Sequence, residues 1–324
     1  MTDFVEVIAT GLQSILVDSG RSGYQHLGIT TGGPADRRSC LWANWLCNNQ
    51  NIAASIEVIG CGFSLKAHSY CEVAITGAAT QITINGLSYS PWRSFALGAG
   101  DSLTINKADN GLRSYVAIQQ GFRVPETFGS CTTVTRDRLG GLTQDGQPLK
   151  QGDRIAFYSQ THAIHPVTAK IAPLEAQRNA IVDPYSELTL RLIEGYQIDD
   201  FTPTALKQFY LNQYVVSPDS SRMATKLTGN PIKAPNKPML SEGITRGAVQ
   251  IPQQGLPIIM LDDRQTVGGY FKVGSVLSID CDLLSQATPG CRVTFSPIDI
   301  HTAHNLVNLA EVKHTNLFTQ INFN

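Results

Sequence analysis

The sequence has few charged residues and no basic cluster. Only 16% of its 324 residues are Asp, Glu, Lys or Arg, and the formal net charge is −1. Because nucleic acids and anionic membrane surfaces attract basic patches, neither is expected as a partner. No apolar run approaches the ~20 residues that span a bilayer, and the first residues show no signal-peptide pattern. We therefore expect a cytoplasmic protein.

Cysteine pairs and metal-ligand clusters are also lacking. The seven cysteines are odd in number and include no C-x-x-C motif. This usage is typical of reduced, mostly buried thiols in a cytoplasmic protein. His301 and His304 lie three residues apart without a third ligand nearby, so no metal site is predicted.

The common nucleotide and nucleophile motifs do not occur. The sequence contains no G-x-x-x-x-G-K-[ST] loop, no G-x-G-x-x-G opening a strand–helix unit and no G-x-S-x-G turn. No lysine stands in the Ala-Met-Lys-Met-like setting of a biotin carrier. A nucleotide or an activated group is therefore expected to come from a partner.

What the chain does have is turn residues and short alternating runs. Its 28 glycines and 16 prolines favour strands and turns over long helices. Alternation predicts strands at residues 5–9, 56–58, 72–76, 81–84, 102–105, 114–119, 154–157, 188–193, 249–251, 257–261 and 292–295. Helices are predicted only at about residues 34–47, 203–212 and 282–286.

A weak repeat indicates two similar units. Residues 99–105, 151–157 and 289–295 each place a turn glycine before an alternating strand. Residues 159–184 lack periodicity and carry Pro166 and Pro173, which is typical of a connection. We predict a mainly β protein with an N-terminal barrel (1–158), a linker (159–184) and a C-terminal barrel (185–324).

The richest polar stretch follows the apolar run at 257–261. Asp263, Arg264, Gln265 and Thr266 leave that strand, and Gly268, Gly269 and Tyr270 come next. The glycines allow the backbone to turn or to approach a ligand closely. So many different polar groups in one stretch predict a site. The alternative is a charged hairpin with an exposed Asp263–Arg264 ion pair contributing ~0.2–1 kcal/mol.

A second polar stretch, residues 18–36, again combines Asp and Arg with glycines. Pro34 is predicted as the first helical residue after a Gly33 cap, which puts Asp36 in the first turn. Helical spacing places Asn44 on the same stripe as Asp36. The alternatives are dipole stabilisation for Asp36 and a satisfied structural amide for Asn44. We expect this stretch and residues 263–270 to meet in one cleft.

These residues closely resemble one family. The chain is similar, over almost its whole length, to the C subunits of bacterial 5-oxoprolinase, also known as KipA or allophanate hydrolase subunit 2-like proteins. The matching segments, in order, are 10–13, 18–28, 44–48, 77–78, 91–92, 129–130, 140–141, 221–223, 240–243, 247–252 and 263–270. The triplet Cys131-Thr-Thr133 departs from the family's Arg-Ser-Thr-like pattern, which removes a potential anion-binding cation.

The resemblance implies a tandem of cyclophilin-like β-barrels and one subunit of a larger enzyme. That enzyme opens 5-oxo-L-proline to L-glutamate with ATP hydrolysis, and its KipI-like B subunit would be one partner, with its A subunit the other. ATP would act through the complex, and this chain alone would be inactive. In related urea carboxylases an equivalent domain accepts carboxyl groups from biotin on a partner.

Opening a lactam needs groups that stabilise developing charge and a carboxylate that activates water. By chemical type, we predict that the catalytic residues are Arg21, Asp36, Asp263 and Arg264. The predicted substrate-binding residues are Asn44, Glu242, Gln250, Gln265, Thr266, Gly268, Gly269 and Tyr270. Which carboxylate acts as the base is left open.

Two rival functions remain. One is biotin-dependent carboxyl transfer to a urea-like or amide-like acceptor. The other is a non-catalytic KipA-like regulatory subunit that binds a kinase inhibitor.

Overall fold

The chain divides into two compact units. The computed structural model describes residues 3–158, 169–178 and 187–322. The first unit comprises Met1–Ser22, Gly32–Ile181 and Thr315–Asn324, and the second comprises Gly23–Thr31 and Val182–His314. Most of the predicted linker lies outside the described residues, so the domain limits at 158 and 185 stay a prediction.

The first unit is built from two antiparallel sheets. Their strands are β1 (Phe4–Thr10), β2 (Gln13–Val17), β3 (Ser55–Ile59), β4 (Phe63–Ala67), β5 (Cys71–Gly77), β6 (Gln81–Ile84), β7 (Leu87–Tyr89), β8 (Arg93–Leu97), β9 (Ser102–Lys107), β10 (Arg113–Ile118) and β11 (Arg154–Ala156). One sheet has the order β11-β1-β4-β9-β6-β7 and the other β2-β3-β10-β5-β8. Alternate residues of both sheets, such as Val7, Ile56 and Leu103, form one buried core.

Helix α1 (Arg37–Leu46) packs on the second sheet of this unit. Trp42 and Ala43 are buried in a cluster with Tyr115 and Ala117 of β10. The prediction that Gly33 caps this helix is wrong. Asp36 is the N-cap, whereas Gly33 has a φ of 99°, outside the helical region.

The second unit contains a closed seven-stranded barrel. Its strands, in spatial order, are β12 (Glu187–Glu194), β19 (Phe271–Val276), β16 (Ala248–Ile251), β17 (Ile258–Met260), β14 (Ala224–Thr228), β13 (Tyr214–Val216) and β20 (Arg292–Pro297). Strands β15 (Glu242–Gly243) and β18 (Val267–Gly268) form a separate two-stranded ribbon. Helices α3 (Pro203–Leu211) and α4 (Ser278–Gln286) belong to this unit, and α3 packs on β20.

Two further helices complete the described structure. Helix α2 (Leu174–Arg178) falls within the predicted linker. Helix α5 (Ile300–Asn322) is 23 residues long and was not predicted. None of the described helices combines the length and apolar content that a bilayer crossing requires.

The sequence-based fold class is confirmed. The protein is mainly β, the predicted strands all occur, and helices form near all three predicted positions. All seven cysteines are free thiols, and six of them are buried, as expected. The similarity of the two units, which the weak sequence repeat predicts, stays a prediction.

Candidate functional site

The loop after β17 is held by buried charged groups. The Asp263 carboxylate accepts hydrogen bonds from Arg222 Nε at 2.9 Å and Nη2 at 3.0 Å. Arg264 donates from Nε to the Ile244 carbonyl at 3.0 Å and from Nη1 to the Leu261 carbonyl at 3.1 Å. The alternative of a charged hairpin with an exposed Asp263–Arg264 pair is therefore wrong, because both side chains are buried and bind other groups.

The ribbon β15–β18 lies beside this loop. Glu242 pairs with Gly268 and Gly243 with Val267. The ribbon is extended by a bond from the Ile244 N–H to the Thr266 carbonyl at 2.9 Å. These contacts fix the backbone on both sides of Gly268.

Two amide side chains converge on Gly268. A Cβ atom at this position would lie 3.2 Å from Gln250 Nε2, 3.5 Å from Gln265 Nε2 and 2.5 Å from Ile244 Cδ1. Even a methyl group at residue 268 would collide with Ile244. Glycine therefore lets the ribbon pack closely against both amides.

Gln250 has an unusual environment. Val249 and Ile251 point into the barrel core, so Gln250 between them points to the outer face, where Ala248, Ile244 and Met260 form a small apolar cluster. Its side chain is 2% exposed. Within the described part of the chain, its Nε2 is a buried donor without a hydrogen-bond acceptor. A buried donor left unpaired costs about 1–3 kcal/mol, so this atom needs an explanation.

A charged group borders the ribbon. Lys272 Nζ forms an ion pair with Glu242 and donates to the Gly243 carbonyl at 3.3 Å. Gln197 Nε2 donates to Glu242 Oε1 at 2.9 Å, and the Tyr196 hydroxyl donates to the same carboxylate. Desolvation opposes ionisation of Glu242, but the hydrogen bonds from Lys272 and Tyr196 lower its pKa. Glu242 is therefore a stable anion rather than a proton acceptor at neutral pH.

Gln265, Thr266, Gly269 and Tyr270 lie along the same loop. A Cβ atom on Gly269 would meet Ser241 Oγ at 3.4 Å, so this glycine is less tightly enclosed than Gly268. Tyr270 is about half exposed. Val267 in β18 and Leu240, two residues before β15, are exposed apolar residues. The predicted substrate-binding residues of the second unit thus surround the ribbon.

Three predicted site residues lie in the first unit, where their side chains form hydrogen bonds that stabilise the fold. Arg21 is fully buried and donates to the carbonyls of Thr127, Ser130 and Thr132. Asp36 accepts from Ser39 N at 3.0 Å and Ser39 Oγ at 2.6 Å, as a helix cap does.

Asn44 is the third of these residues and is completely buried. Its Nδ2 donates to the Cys40 carbonyl and Ser55 Oγ, and its Oδ1 accepts from Asn49 Nδ2 and Ala53 N. This geometry matches the structural alternative for Asn44.

The N-terminal polar stretch is divided between the units. Residues Gly23–Thr31 cluster with the second unit, where Thr30 Oγ1 donates to the Arg264 carbonyl at 3.3 Å. That contact supports part of the predicted approach of the two stretches. The convergence of Arg21 and Asp36 with Asp263 and Arg264 stays a prediction.

Sequence reasoning missed several residues that build the site. Arg222, Lys272, Tyr196 and Gln197 were not predicted, although each binds a predicted residue or its neighbour. Lys272 was visible as the residue two positions after Tyr270. The others lie 41 to 46 residues from their carboxylate partners. The family-matching segment 221–223 contains Arg222, but the sequence does not indicate which carboxylate it binds. In the described ranges, His, Cys, Asp and Glu form no cluster that could hold a metal ion.

Comparison with known protein families finds a match to most of the chain. Residues 27–297 match the family described as carboxyltransferase domain, subdomain A and B. The chain belongs to this carboxyltransferase family.

Some similar proteins match this chain over nearly their whole length, and others match it over one part of a much longer chain. The protein is 28% identical to the C subunit of 5-oxoprolinase from Escherichia coli (strain K12), over 92% of this chain and 93% of the relative. It is 27% identical to urea amidolyase of Lachancea kluyveri, over 93% of this chain and only 17% of that protein.

A solved structure has the same fold. The crystal structure of the Kluyveromyces lactis urea carboxylase matches with a TM-score of 0.88 and 24% identity. The match covers 98% of this chain and 29% of that chain. At this identity the likeness shows the fold of the domain.

Proposed function

We propose that this chain is the C subunit of an ATP-dependent 5-oxoprolinase complex that opens 5-oxo-L-proline to L-glutamate. The similarity to a 5-oxoprolinase C subunit over nearly the full length of both chains supports this assignment. The other members would be the KipI-like B subunit of the complex together with its A subunit.

One structural observation carries the proposal. The second unit places the Gln250 and Gln265 amides near Gly268, while the adjacent carboxylates are already paired, Glu242 with Lys272 and Asp263 with Arg222. Hydrolysis of a lactam needs a base to activate water. A chain that recognises an amide but commits its nearby carboxylates to ion pairs is suited to act as one subunit of a complex.

In this proposal the chain binds and orients the substrate. Gln250 and Gln265 would hold the planar lactam next to the backbone of Gly268 and Gly269, with Thr266 and Tyr270 at the margin. Asp263 and Arg264 would position the loop rather than react. Arg21, Asp36 and Asn44 would maintain the first unit.

In this proposal ATP binds to the partner subunits. The sequence has no phosphate-cradling loop, and the cations Lys272 and Arg222 of this region already bind carboxylates. We therefore assign ATP binding to the partner subunits.

The test is reconstitution of the chain with the A and B proteins from the same genome. We expect 5-oxoproline-dependent ATP hydrolysis only when all three are present, and none from this chain alone. Omitting this chain is the control. Turnover by the isolated chain at the rate of the complex, or by A and B without it, would contradict the proposal.

Carboxyl transfer is the second candidate function. The family description and the likeness to urea amidolyase favour it. Biotin would then be carried by a partner, and this chain would present the urea-like or amide-like acceptor. Transfer of labelled carboxyl from carboxybiotin to urea, in place of 5-oxoproline-dependent ATP hydrolysis, would establish this alternative. A stable complex with neither activity would favour the regulatory role.

A further inference from the structure

We propose that Arg138 contacts the γ-phosphoryl group of an ATP molecule held by a partner subunit and stabilises the charge that develops there during transfer. Arg138 lies at the tip of a tight hairpin in the first unit, between Val134 and Leu139. The inference rests on the proposed function, from which it takes the binding of ATP to a partner. It adds a catalytic residue that lies outside the second unit.

The backbone of this hairpin is closed at its base. The Val134 N–H donates to the Leu139 carbonyl at 2.8 Å, and the Leu139 N–H donates to the Val134 carbonyl at 3.2 Å. Within the tip, the Arg138 N–H donates back to the Thr135 carbonyl at 3.3 Å. These bonds fix the course of the backbone on both sides of Arg138.

Buried polar side chains hold the chain that leads into the hairpin. Arg21 donates to the carbonyls of Ser130 and Thr132, and the Asp18 carboxylate accepts from the Cys131 N–H at 2.7 Å. The segment before Val134 is therefore anchored to the interior of the first unit.

The chain that follows the hairpin packs directly on other backbone atoms. A Cβ atom on Gly140 would lie 2.1 Å from the Thr132 carbonyl oxygen, and one on Gly146 would lie 2.7 Å from the Arg138 Cα atom. Only glycine allows such close packing at these two positions. The tip is thus a firm support, which a residue that must meet a reacting group requires.

The backbone conformation of Arg138 is the second argument. Its φ is 53°, in the left-handed region that glycine and asparagine adopt most readily. Glycine would close the same turn without strain, so the turn itself does not call for an arginine. Strained residues of this kind cluster at functional sites. We therefore ascribe this arginine to a function of its side chain.

The third argument is that the Arg138 guanidinium is available. Its side chain is exposed, and no described residue binds it. At the same tip, Arg136 Nη2 lies 2.9 Å from an Asp137 carboxylate oxygen, so these two charges neutralise each other. Arg21 and Arg264, which were expected to supply positive charge, are buried and bind backbone carbonyls.

A guanidinium suits a phosphoryl group in transfer. The bond between the γ-phosphorus and the oxygen that bridges it to the β-phosphate breaks, and its electron pair leaves with ADP. An acceptor oxygen forms the new bond to phosphorus with a lone pair, and the acceptor releases one proton to water. Negative charge spreads over the equatorial oxygens in the transition state, where a planar guanidinium can donate two parallel hydrogen bonds. An arginine of one protein can act in this way on a nucleotide that another protein binds.

A matched control variant lies in the same loop. Gln144 is also exposed, and its φ of 60° is also left-handed. Neither Arg138→Gly nor Gln144→Gly should lower the thermal unfolding midpoint appreciably, because relief of the backbone offsets the added flexibility of the unfolded chain. Arg138→Lys keeps the charge but loses the planar fork.

The test is turnover by this chain reconstituted with the A and B proteins from the same genome. In Arg138→Gly, 5-oxoproline-dependent ATP hydrolysis should fall by about a thousandfold. Arg138→Lys should lose most of the activity, and Gln144→Gly should lose none. Added guanidinium chloride at low concentration should partly restore turnover of Arg138→Gly, as a purely structural defect would not permit. Size-exclusion chromatography should show that every variant still forms the complex.

A second readout does not depend on turnover. ADP with aluminium fluoride mimics the phosphoryl group in transfer, and calorimetry measures its binding to the complex. The wild-type complex should bind this pair more tightly than ADP alone. The Arg138→Gly complex should bind ADP as the wild type does and lose the additional affinity for the pair with aluminium fluoride.

The outcomes separate this inference from the proposed function. Full turnover by Arg138→Gly, or unchanged binding of ADP with aluminium fluoride, would overturn the inference and leave the proposed function standing. Loss of the complex in Arg138→Gly would also overturn it, because Arg138 would then be a docking residue. If ATP hydrolysis requires Arg138 but depends on urea in place of 5-oxoproline, the inference stands and the lactam substrate is wrong. A complex that consumes no ATP would contradict both.

Discussion

Asn44 and Gln250 are two buried amides that sequence reasoning treated alike. In the first unit, Asn44 uses both its oxygen and its nitrogen to join α1 to the segment before β3, through Ser55, Asn49 and Ala53. In the second unit, Gln250 leaves its nitrogen without a described acceptor, next to a glycine that must stay small. The described residues use the bonding capacity of Asn44 more fully than that of Gln250, and this difference is the reason for proposing Gln250 as a recognition residue.

The predicted catalytic residues also bind groups of this chain. Arg21 binds carbonyls, Asp36 caps a helix, Asp263 pairs with Arg222 and Arg264 binds carbonyls. Three of the four predicted catalytic groups therefore bind backbone groups, and Asp263 binds another side chain. Under the proposed function, the neutral amides supply the recognition that was expected of the charged residues.

The largest predicted effect on stability belongs to Asn44→Leu. Because it leaves the Ala53 N–H without its acceptor and removes the bonds to Ser55 and Asn49, it should lower the free energy of unfolding by about 2–4 kcal/mol. Urea unfolding of the isolated chain measures this. Asn212→Leu, at a partly exposed amide of the second unit, serves as the control and should cost less. A stable Asn44→Leu protein would remove the contrast with Gln250.

Arg264→Ala should have the next largest effect. Sequence reasoning from an exposed ion pair predicts almost no change, but Arg264 is 8% exposed and binds the Ile244 and Leu261 carbonyls. Losing those bonds should lower the free energy of unfolding by about 2–3 kcal/mol. Lys237→Ala, at a more exposed pair with Asp200, is the control and should cost about 0–1 kcal/mol. Equal, small changes in both variants would mean that Arg264 does not hold the loop.

Asp18→Asn should change the acid side of the stability profile. Burial opposes ionisation of Asp18, but hydrogen bonds from Ser130 Oγ, Cys131 N and Gly20 N lower its pKa. The folded chain therefore releases this proton more readily than the unfolded chain, whose Asp has a pKa of about 3.9. The stabilisation is fully present above the unfolded pKa and is lost as pH falls through the lower folded value.

The free energy of unfolding of Asp18→Asn should thus be about 1–2 kcal/mol lower than that of the wild type at neutral pH. As the pH falls through this range, the free energy of unfolding of the variant should also decrease less steeply. Asp219→Asn, at an exposed residue, should leave the acid dependence of the free energy of unfolding unchanged. If the free energy of unfolding of Asp18→Asn decreases with acid as steeply as that of the wild type, this carboxylate does not organise the loop at residues 130–132.

Local sequence patterns predicted much of this fold. The predicted strands alternate apolar and polar residues or form short apolar runs, and each occurs in the structure. Thr202 and Pro203 marked the start of α3, which the cap bond from Ala205 N to Thr202 Oγ1 confirms. These features depend on neighbouring residues, so a sequence reveals them.

Other features depend on distant contacts or weak signals and were missed. Helix α5 contains many Asn, Thr and His residues, which have modest helix propensity, so its local pattern was weak. The role of Arg21 depends on carbonyls more than a hundred residues away. Gln250 was predicted from its chemical type, yet only the three-dimensional packing at Gly268 distinguishes it from Asn44.

The most direct test of the account is Gln250→Leu, which should have the smallest effect on folding. Because the variant removes a donor that has no described acceptor, its free energy of unfolding should stay within about 1 kcal/mol of the wild type. In the reconstituted complex, 5-oxoproline-dependent ATP hydrolysis should fall by about tenfold or more. A loss of stability as large as that of Asn44→Leu, or full turnover by the folded Gln250→Leu complex, would contradict the assignment of Gln250 to substrate recognition.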